Sequence, residues 1–393
     1  MEKVKTNWFL VLVLWFAGIA AAMQFAKFSV AFDSLRDLYN VIPFWIGLAL
    51  SVVGFVGLVF GVTISIYVSK IGQKKILLTS LLLGAIVSVV QALQPAFPVL
   101  FLSRIVEGIS HLGVVVTAPI IMILISSEKH HSIVMGLWST FFGIAFSVMA
   151  WIGNPILELY SSSMLFLIHA IFMAIILIIL FFLIKQISIP INDNNKISFI
   201  DAHKKVYSNW RRFSPGILFF FHTFMYIALF TFLPGLSGNE STRGFLLIIL
   251  PLISIVGTMI AGIVTQYFIP PSNLSIFAYI SVSVLIFVVR LSFNNNLLFV
   301  VTSMTLLLFS GLAQGSVYSL IPKISLTTED QTNAMGSVAQ LGNLGSTLGS
   351  PVFSYFLVFG RDSIIIIVML FGLLGALTGM YITKKIKSSR FQE

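Results

Sequence analysis

RIVEGISHLGVVVTAP (residues 104–119) and LLFSGLAQGSVYSLIP (307–322) decide how this chain is read. Each is an apolar run in which a glycine, Gly108 or Gly311, is followed eleven residues on by a proline, Pro119 or Pro322. A polar loop comes next in both places, 126–131 and 327–331, then a Met-Gly pair, Met135-Gly136 or Met335-Gly336. Farther on, both stretches reach a Gly-x-Pro, at Gly153 and Pro155 or at Gly349 and Pro351. The same landmarks in the same order mark an internal duplication. The first copy also holds Arg104, Glu107 and His111 inside an apolar run, where lipid tolerates such groups only if they face protein or a path through it.

Composition sets the surroundings. Of 393 residues, 58% are hydrophobic and 9% charged, and mean hydropathy is +1.03. A soluble domain carries roughly 25% charged residues, so polar side chains are too few to coat a water-soluble globule. Apolar runs of about 20 residues, enough to cross a bilayer, recur along the chain: 8–31, 44–68, 76–95, 97–125, 132–157 and 163–184, then 214–234, 244–268, 274–293, 297–322, 333–358 and 362–383. The first begins like a secretory leader but stays apolar to Val30, long enough to span, and reads as a retained helix. The net charge of +10 sits in short loops without interleaved aromatics, so nucleic acid is not an expected partner. With no cysteine there is neither a disulfide framework nor a thiolate metal site, and no cofactor or metal is expected.

The expected fold is therefore an all-α membrane protein with twelve transmembrane helices in two pseudo-symmetric six-helix bundles. Residues 1–184 form the first, 214–393 the second, and the polar stretch 185–213 is a cytoplasmic connector whose 199–210 segment reads as a surface amphipathic helix or a plain linker. With both termini cytoplasmic, seventeen of the 23 Lys and Arg residues fall on the inner side, and the outer loops hold Arg36, Arg243 and Arg361. Two parallel repeats of six helices suit alternating access, in which the halves rock about a solute held near midplane.

At this point the chain resembles the major facilitator superfamily along essentially its whole length. The family's loop between the second and third helices usually reads Gly-x-x-x-Asp-Arg-x-Gly-Arg-Arg/Lys; here it runs from Ser65 through Ser69, Lys70, Gly72, Lys74 and Lys75. Ser69 stands where the family has aspartate, so the usual ionic latch of this gating loop is in question. Arg104-x-x-x-Gly108 matches the fourth-helix signature. The drug-antiporter signature of the fifth helix is absent between Gly136 and Pro155, which favours uptake over drug efflux.

Arg104, Glu107, Gly108 and His111 lie at i, i+3, i+4, i+7, one stripe of a helix. Glu107 falls near midplane and is read as a proton carrier or gate, with Arg104 orienting it or anchoring an anion; the alternative is a static pair tying helices together. Lys27, beside Gln24 on the first span, either snorkels toward Asp33 or Asp37 or contacts solute. His222 and Tyr226 on the seventh span, Gln314 and Tyr318 on the tenth, and Gln340 and Asn343 on the eleventh are further candidates for the proton or solute path, with interhelical hydrogen bonding as their other reading. His169 reads as a structural histidine. Gly47, Gly54, Gly57 and Gly61, like Gly342, Gly345 and Gly349, read as packing stripes.

The functional expectation is a monomeric secondary transporter, proton-coupled, moving a small polar or anionic solute across a bacterial cytoplasmic membrane. Proton-driven efflux of hydrophobic compounds is the alternative, and a transporter-like receptor a more distant one. A membrane enzyme has no support: the chain holds no His-Glu-x-x-His pair, no serine elbow and no paired carboxylates at the membrane face.

Overall fold

The computed structural model describes residues 5–64, 68, 71–127, 130–184 and 198–390, and among them regular structure is entirely helical. A backbone in lipid has no water to bond, so an apolar run closes its own N–H and C=O groups as a helix. The described residues form sixteen α-helices: α1 (Trp8–Val30), α2 (Phe32–Tyr39), α3 (Pro43–Ser51), α4 (Val53–Phe60), α5 (Gln73–Ala92), α6 (Phe97–Leu124), α7 (His131–Ser139), α8 (Phe141–Leu159), α9 (Ser162–Leu183), α10 (Phe199–Tyr207), α11 (Trp210–Phe232), α12 (Glu240–Tyr267), α13 (Pro271–Leu291), α14 (Asn296–Ile324), α15 (Thr328–Leu357) and α16 (Arg361–Arg390).

Local chemistry places several starts. Asn7, Asn239 and Asn295 accept from the backbone N–H of Leu10, Thr242 and Leu298 at 3.1, 2.9 and 3.0 Å, capping α1, α12 and α14. Gly72 opens α5 from a positive φ of 94°, a conformation glycine adopts without strain. Ser69 and Lys70, expected to belong to a gating loop, lie outside the described residues; Lys74 donates to the carbonyl of Ile184, and Lys75 is exposed.

Among the described residues ten helices are long and apolar enough to cross a membrane, and α3 with α4, bent by 48°, makes an eleventh. What separates eleven from the expected twelve is α15. Its 30 residues reach about 45 Å at 1.5 Å per residue, yet Gln331, Asn333, Gln340 and Asn343 make it too polar for that criterion. Because α15 lies between α11 and the α3–α4 pair, it faces protein where other helices face lipid, and the demand for apolar side chains relaxes.

Helix pairing repeats. In the first half α1 packs on α8, α6 and α9, the α4 part of the bent span packs on α6, and α5 packs on α6 and α9. In the second, α11 packs on α15, α14 and α16, α12 on α14, and α13 on α14 and α16. Counting α3–α4 and α7–α8 as single spans, the second pattern is the first moved six spans along.

The halves meet along two seams, α3–α4 against α15 and α8 against α12. A Cβ on Gly47 would lie 2.2 Å from Ser354 Oγ, and one on Gly54 2.8 Å from Thr347 Oγ1, so bare backbone is what permits this approach. Ser51 donates to Thr347 O at 2.8 Å, and Ser147 to Ile248 O at 2.7 Å. Gly342, Gly345 and Gly349 instead face Phe219, Phe220 and Phe224 of α11, within the second half. At the Asp33 end the halves are further joined by Ser29 with Thr231 (2.7 Å), Asp33 with Arg243 (2.7 Å) and the edge-to-face rings of Phe32 and Phe232.

Candidate functional site

Two polar groups stand out against the apolar interior. The first lies inside the first half, where α1, α5, α6 and α9 converge. Lys27, Arg104 and Glu107 each have 0% exposure, sealed from both solvent and lipid. Glu107 accepts from Lys27 Nζ at 2.7 Å through Oε1; through Oε2 it pairs with Arg104 and accepts from Gln91 Nε2 at 2.8 Å. Arg104 also donates to the carbonyls of Ala49 (2.8 Å) and Leu50 (3.0 Å) beside the bend in the second span, and its guanidinium lies 3.9 Å over the Phe28 ring. Lys27 therefore turns inward to Glu107, away from Asp33 and Asp37.

Lys27 completes its hydrogen bonding with Ser88 Oγ at 2.8 Å and His169 Nδ1 at 3.3 Å. His169 Nε2 lies 2.9 Å from the carbonyl of Ala20, which only accepts, so Nε2 carries the hydrogen and Nδ1 presents a lone pair. Ser88 bridges to that same Nδ1 at 2.8 Å. One turn away, Gln24 donates to Ser110 at 2.9 Å. Ser88 and Gln91 are partners not named from the sequence, and His169, read from it as a structural histidine, is a third; a polar residue deep in an apolar run is the signal that marks them.

The second group lies at the interface between the halves, where Phe142 of α8 meets Tyr226 of α11. A row of rings crosses it: His111 to Phe25 (5.1 Å between centroids), Phe25 to Phe142 (5.8 Å), Phe142 to Tyr226 (6.1 Å) and Tyr226 to His222 (4.7 Å). His111 Nδ1 bonds the carbonyl of Ala21 at 3.0 Å, leaving Nε2 as an acceptor. On the other side His222 Nδ1 meets Ser310 Oγ at 3.4 Å, while its buried Nε2 has no hydrogen-bond partner. Gln314 accepts from Thr258 at 3.4 Å, and Tyr318, 38% exposed, packs on Phe219 at 5.3 Å. Phe25 and Phe142 were not singled out in the sequence because phenylalanine is everywhere in this chain.

Gln340 and Asn343 are not brought to this row. Gln340 donates to Leu58 O (2.7 Å) across the seam and bonds Tyr207 (2.7 Å) and His203 (2.9 Å) of α10; Asn343 bonds Ala339 O and lies against Gly57. The 199–207 segment is thus a helix clasped to α15 at Gln340.

A helical membrane protein whose halves repeat one packing pattern around a polar, aromatic-lined seam has the build of a two-sided carrier. Residues 14–325 match the Major Facilitator Superfamily, and the chain belongs to that family. A stretch of 105 residues is 37% identical to the arabinose-proton symporter of Bacillus subtilis, covering 26% of this chain and 22% of that relative's length. In fold, the chain is similar to the xylose transporter XylE from E. coli in a partially occluded inward-open conformation, with a TM-score of 0.73, 13% identity, and coverage of 95% of this chain and 98% of that one. The protein is an integral membrane member of this superfamily.

Proposed function

We propose that the protein carries a small, uncharged polar solute inward by alternating access, together with protons, across a bacterial cytoplasmic membrane. The observation that carries this reading is the ring row from His111 to His222. It bridges both halves, it places an unpartnered buried ring nitrogen at one end, and the polar groups beside it (Tyr226, Gln314, Tyr318, Ser310) are neutral donors and acceptors. Rings with a few convergent hydroxyl and amide groups suit a polyhydroxylated solute. Arg104 and Lys27, which would favour an anion if they faced the seam, have their hydrogen bonds taken up inside the first half. A pentose is the first solute to try, because the Bacillus relative is named for arabinose.

This reading takes twelve spans as six plus six, residues 1–184 and 214–393 about the 185–213 connector, both termini cytoplasmic, in a functional monomer. The seam joined at the Asp33 end supports a state closed on the outer side. Efflux of hydrophobic compounds is the competing reading, and the buried polar atoms on the seam argue against it.

The test is uptake of radiolabelled L-arabinose into proteoliposomes with an imposed inward proton gradient. Expected is accumulation above the equilibrium level that collapses with a protonophore, and its loss in His222→Phe. Accumulation of a hydrophobic cation in inverted vesicles, with no pentose movement, would favour efflux instead.

A further inference from the structure

We infer that the proton-responsive group of this transporter is Lys27, with Glu107 as its permanently ionised partner. The inference rests on the proton-coupled reading above and starts from counting charges in the sealed cluster. Lys27 and Arg104 face a single carboxylate, Glu107, and all three are fully buried. A neutral His169, as its fixed tautomer requires, leaves one positive charge uncompensated. A buried, uncompensated charge costs several kcal/mol, so the cluster is poised to lose it.

Only one ionisation step removes that charge. Arginine does not release its proton in proteins. Protonating Glu107 would leave two cations facing each other with nothing between them, which worsens the imbalance. Among the described residues, the titratable or charged groups facing Lys27 are Glu107 and its partner Arg104 on α6 and His169 on α9; α5 contributes the neutral Ser88, with Gln91 on Glu107, and His111, one turn along α6, bonds the carbonyl of Ala21 and supplies no negative charge. Asp33 and Arg36 on the neighbouring α2 pair with each other and with Arg243. What remains is loss of a proton from Nζ.

The arrangement also supplies a way out. In this structure Nζ donates to Glu107 Oε1 and Ser88 Oγ and lies 3.3 Å from His169 Nδ1, whose lone pair faces the Ser88 hydroxyl at the shorter distance of 2.8 Å. As an Nζ–H bond breaks, its electron pair stays on nitrogen and the proton passes to Ser88 Oγ, while the hydroxyl hands its own proton to His169 Nδ1. The proton then leaves His169 for water admitted when the halves rearrange. The cluster is left as one neutral amine beside a matched Arg104–Glu107 pair. A surplus charge that comes and goes inside one half changes which arrangement of helices that half prefers, and this couples protons to the rocking motion.

The test requires no solute. The chain has no cysteine, so Tyr318→Cys, at the partly exposed α14 position that packs on Phe219, gives a single reporter thiol. Its maleimide labelling rate in the folded protein is divided by the rate in unfolded protein at the same pH, which removes the thiol's own pH dependence. With Lys27 present this ratio should change about fivefold between about pH 5 and about pH 10, a shift worth roughly 1 kcal/mol. Lys27→Met should hold the ratio flat at the native alkaline level, and Lys27→Arg flat at the native acid level, because one mimics the neutral amine and the other keeps its charge. The inference is overturned if Lys27→Met keeps the native pH response, or if the two variants settle at the same level. Arabinose uptake measured in parallel reports separately: native protein that fails to move the sugar but shows Lys27-dependent labelling would sink the solute reading alone.

Discussion

The cores of the two halves are assembled from equivalent helix pairs and filled with opposite kinds of side chain. Where α6 carries Arg104, Glu107 and His111, the matching positions of α14 carry Leu307, Ser310 and Gln314. Leu307 and Ser310 are as buried as their charged counterparts. The second half closes its interior with neutral bonds, such as Tyr279 to the carbonyl of Leu218, and still reaches the same packing pattern. Ions are therefore not what this helix arrangement requires. Replacing a buried ion pair with apolar groups is often neutral or stabilising, so the charges in the first half answer to transport more than to folding.

The comparison can be broken most forcefully at Glu107. Glu107→Gln leaves Lys27 and Arg104 buried without a counter-ion and should cost about 3–5 kcal/mol, read as a large fall in the detergent unfolding midpoint; Ser310→Ala, at the matching position of the second half, should change it by no more than about 1 kcal/mol. A midpoint for Glu107→Gln equal to that of Ser310→Ala would mean the two cores are not different in kind. Next in size is Gly47→Val at the seam. Its added carbons meet Ser354 and the backbone at Ser350, and a loss of about 1–3 kcal/mol is expected. Gly136→Ala, with open space around it, should be neutral or gain up to about 1 kcal/mol in helix propensity.

Smaller effects come from the ends. Asp33→Asn removes the bridge to Arg243, a half-exposed pair worth at most about 1 kcal/mol. The expected result is up to about a fivefold rise in labelling of a Thr231→Cys reporter from that side, reversed by exchanging the two charges. At the opposite end Arg212 hydrogen-bonds Asp330 at 2.7 Å and holds its carboxyl below the usual range. A lowered carboxylate contributes its stability in full above the unfolded value, about pH 4, and loses it as pH falls through the folded value. Native protein should thus lose up to about 1 kcal/mol of stability on acidification below pH 4 that Asp330→Asn does not lose.

Much of the architecture is legible in the sequence because lipid leaves an apolar run no choice but a helix, and because duplication writes the same landmarks twice. The span at 333–358 is legible in the sequence even though α15 carries Gln340 and Asn343, since burial between α11 and α3–α4 removes the need for grease. That Arg104 and Glu107 share a helix face follows from spacing. That Lys27 meets Glu107, and that Ser88, Gln91 and His169 close the cluster, depends on which faces of four helices turn toward each other, and periodicity in nearly uniform apolar runs does not specify that. Gln340 shows the same limit: its helix position is readable, but its partners Leu58, His203 and Tyr207 come from distant segments.

The sharpest single measurement is the thermal unfolding midpoint of Lys27→Met in detergent, set beside native protein and Glu107→Gln. If the extra cation serves coupling and not the fold, deleting it balances the cluster, and the midpoint should match or exceed that of native protein. A midpoint lowered as far as that of Glu107→Gln would contradict the account, because Lys27 would then be holding the first half together.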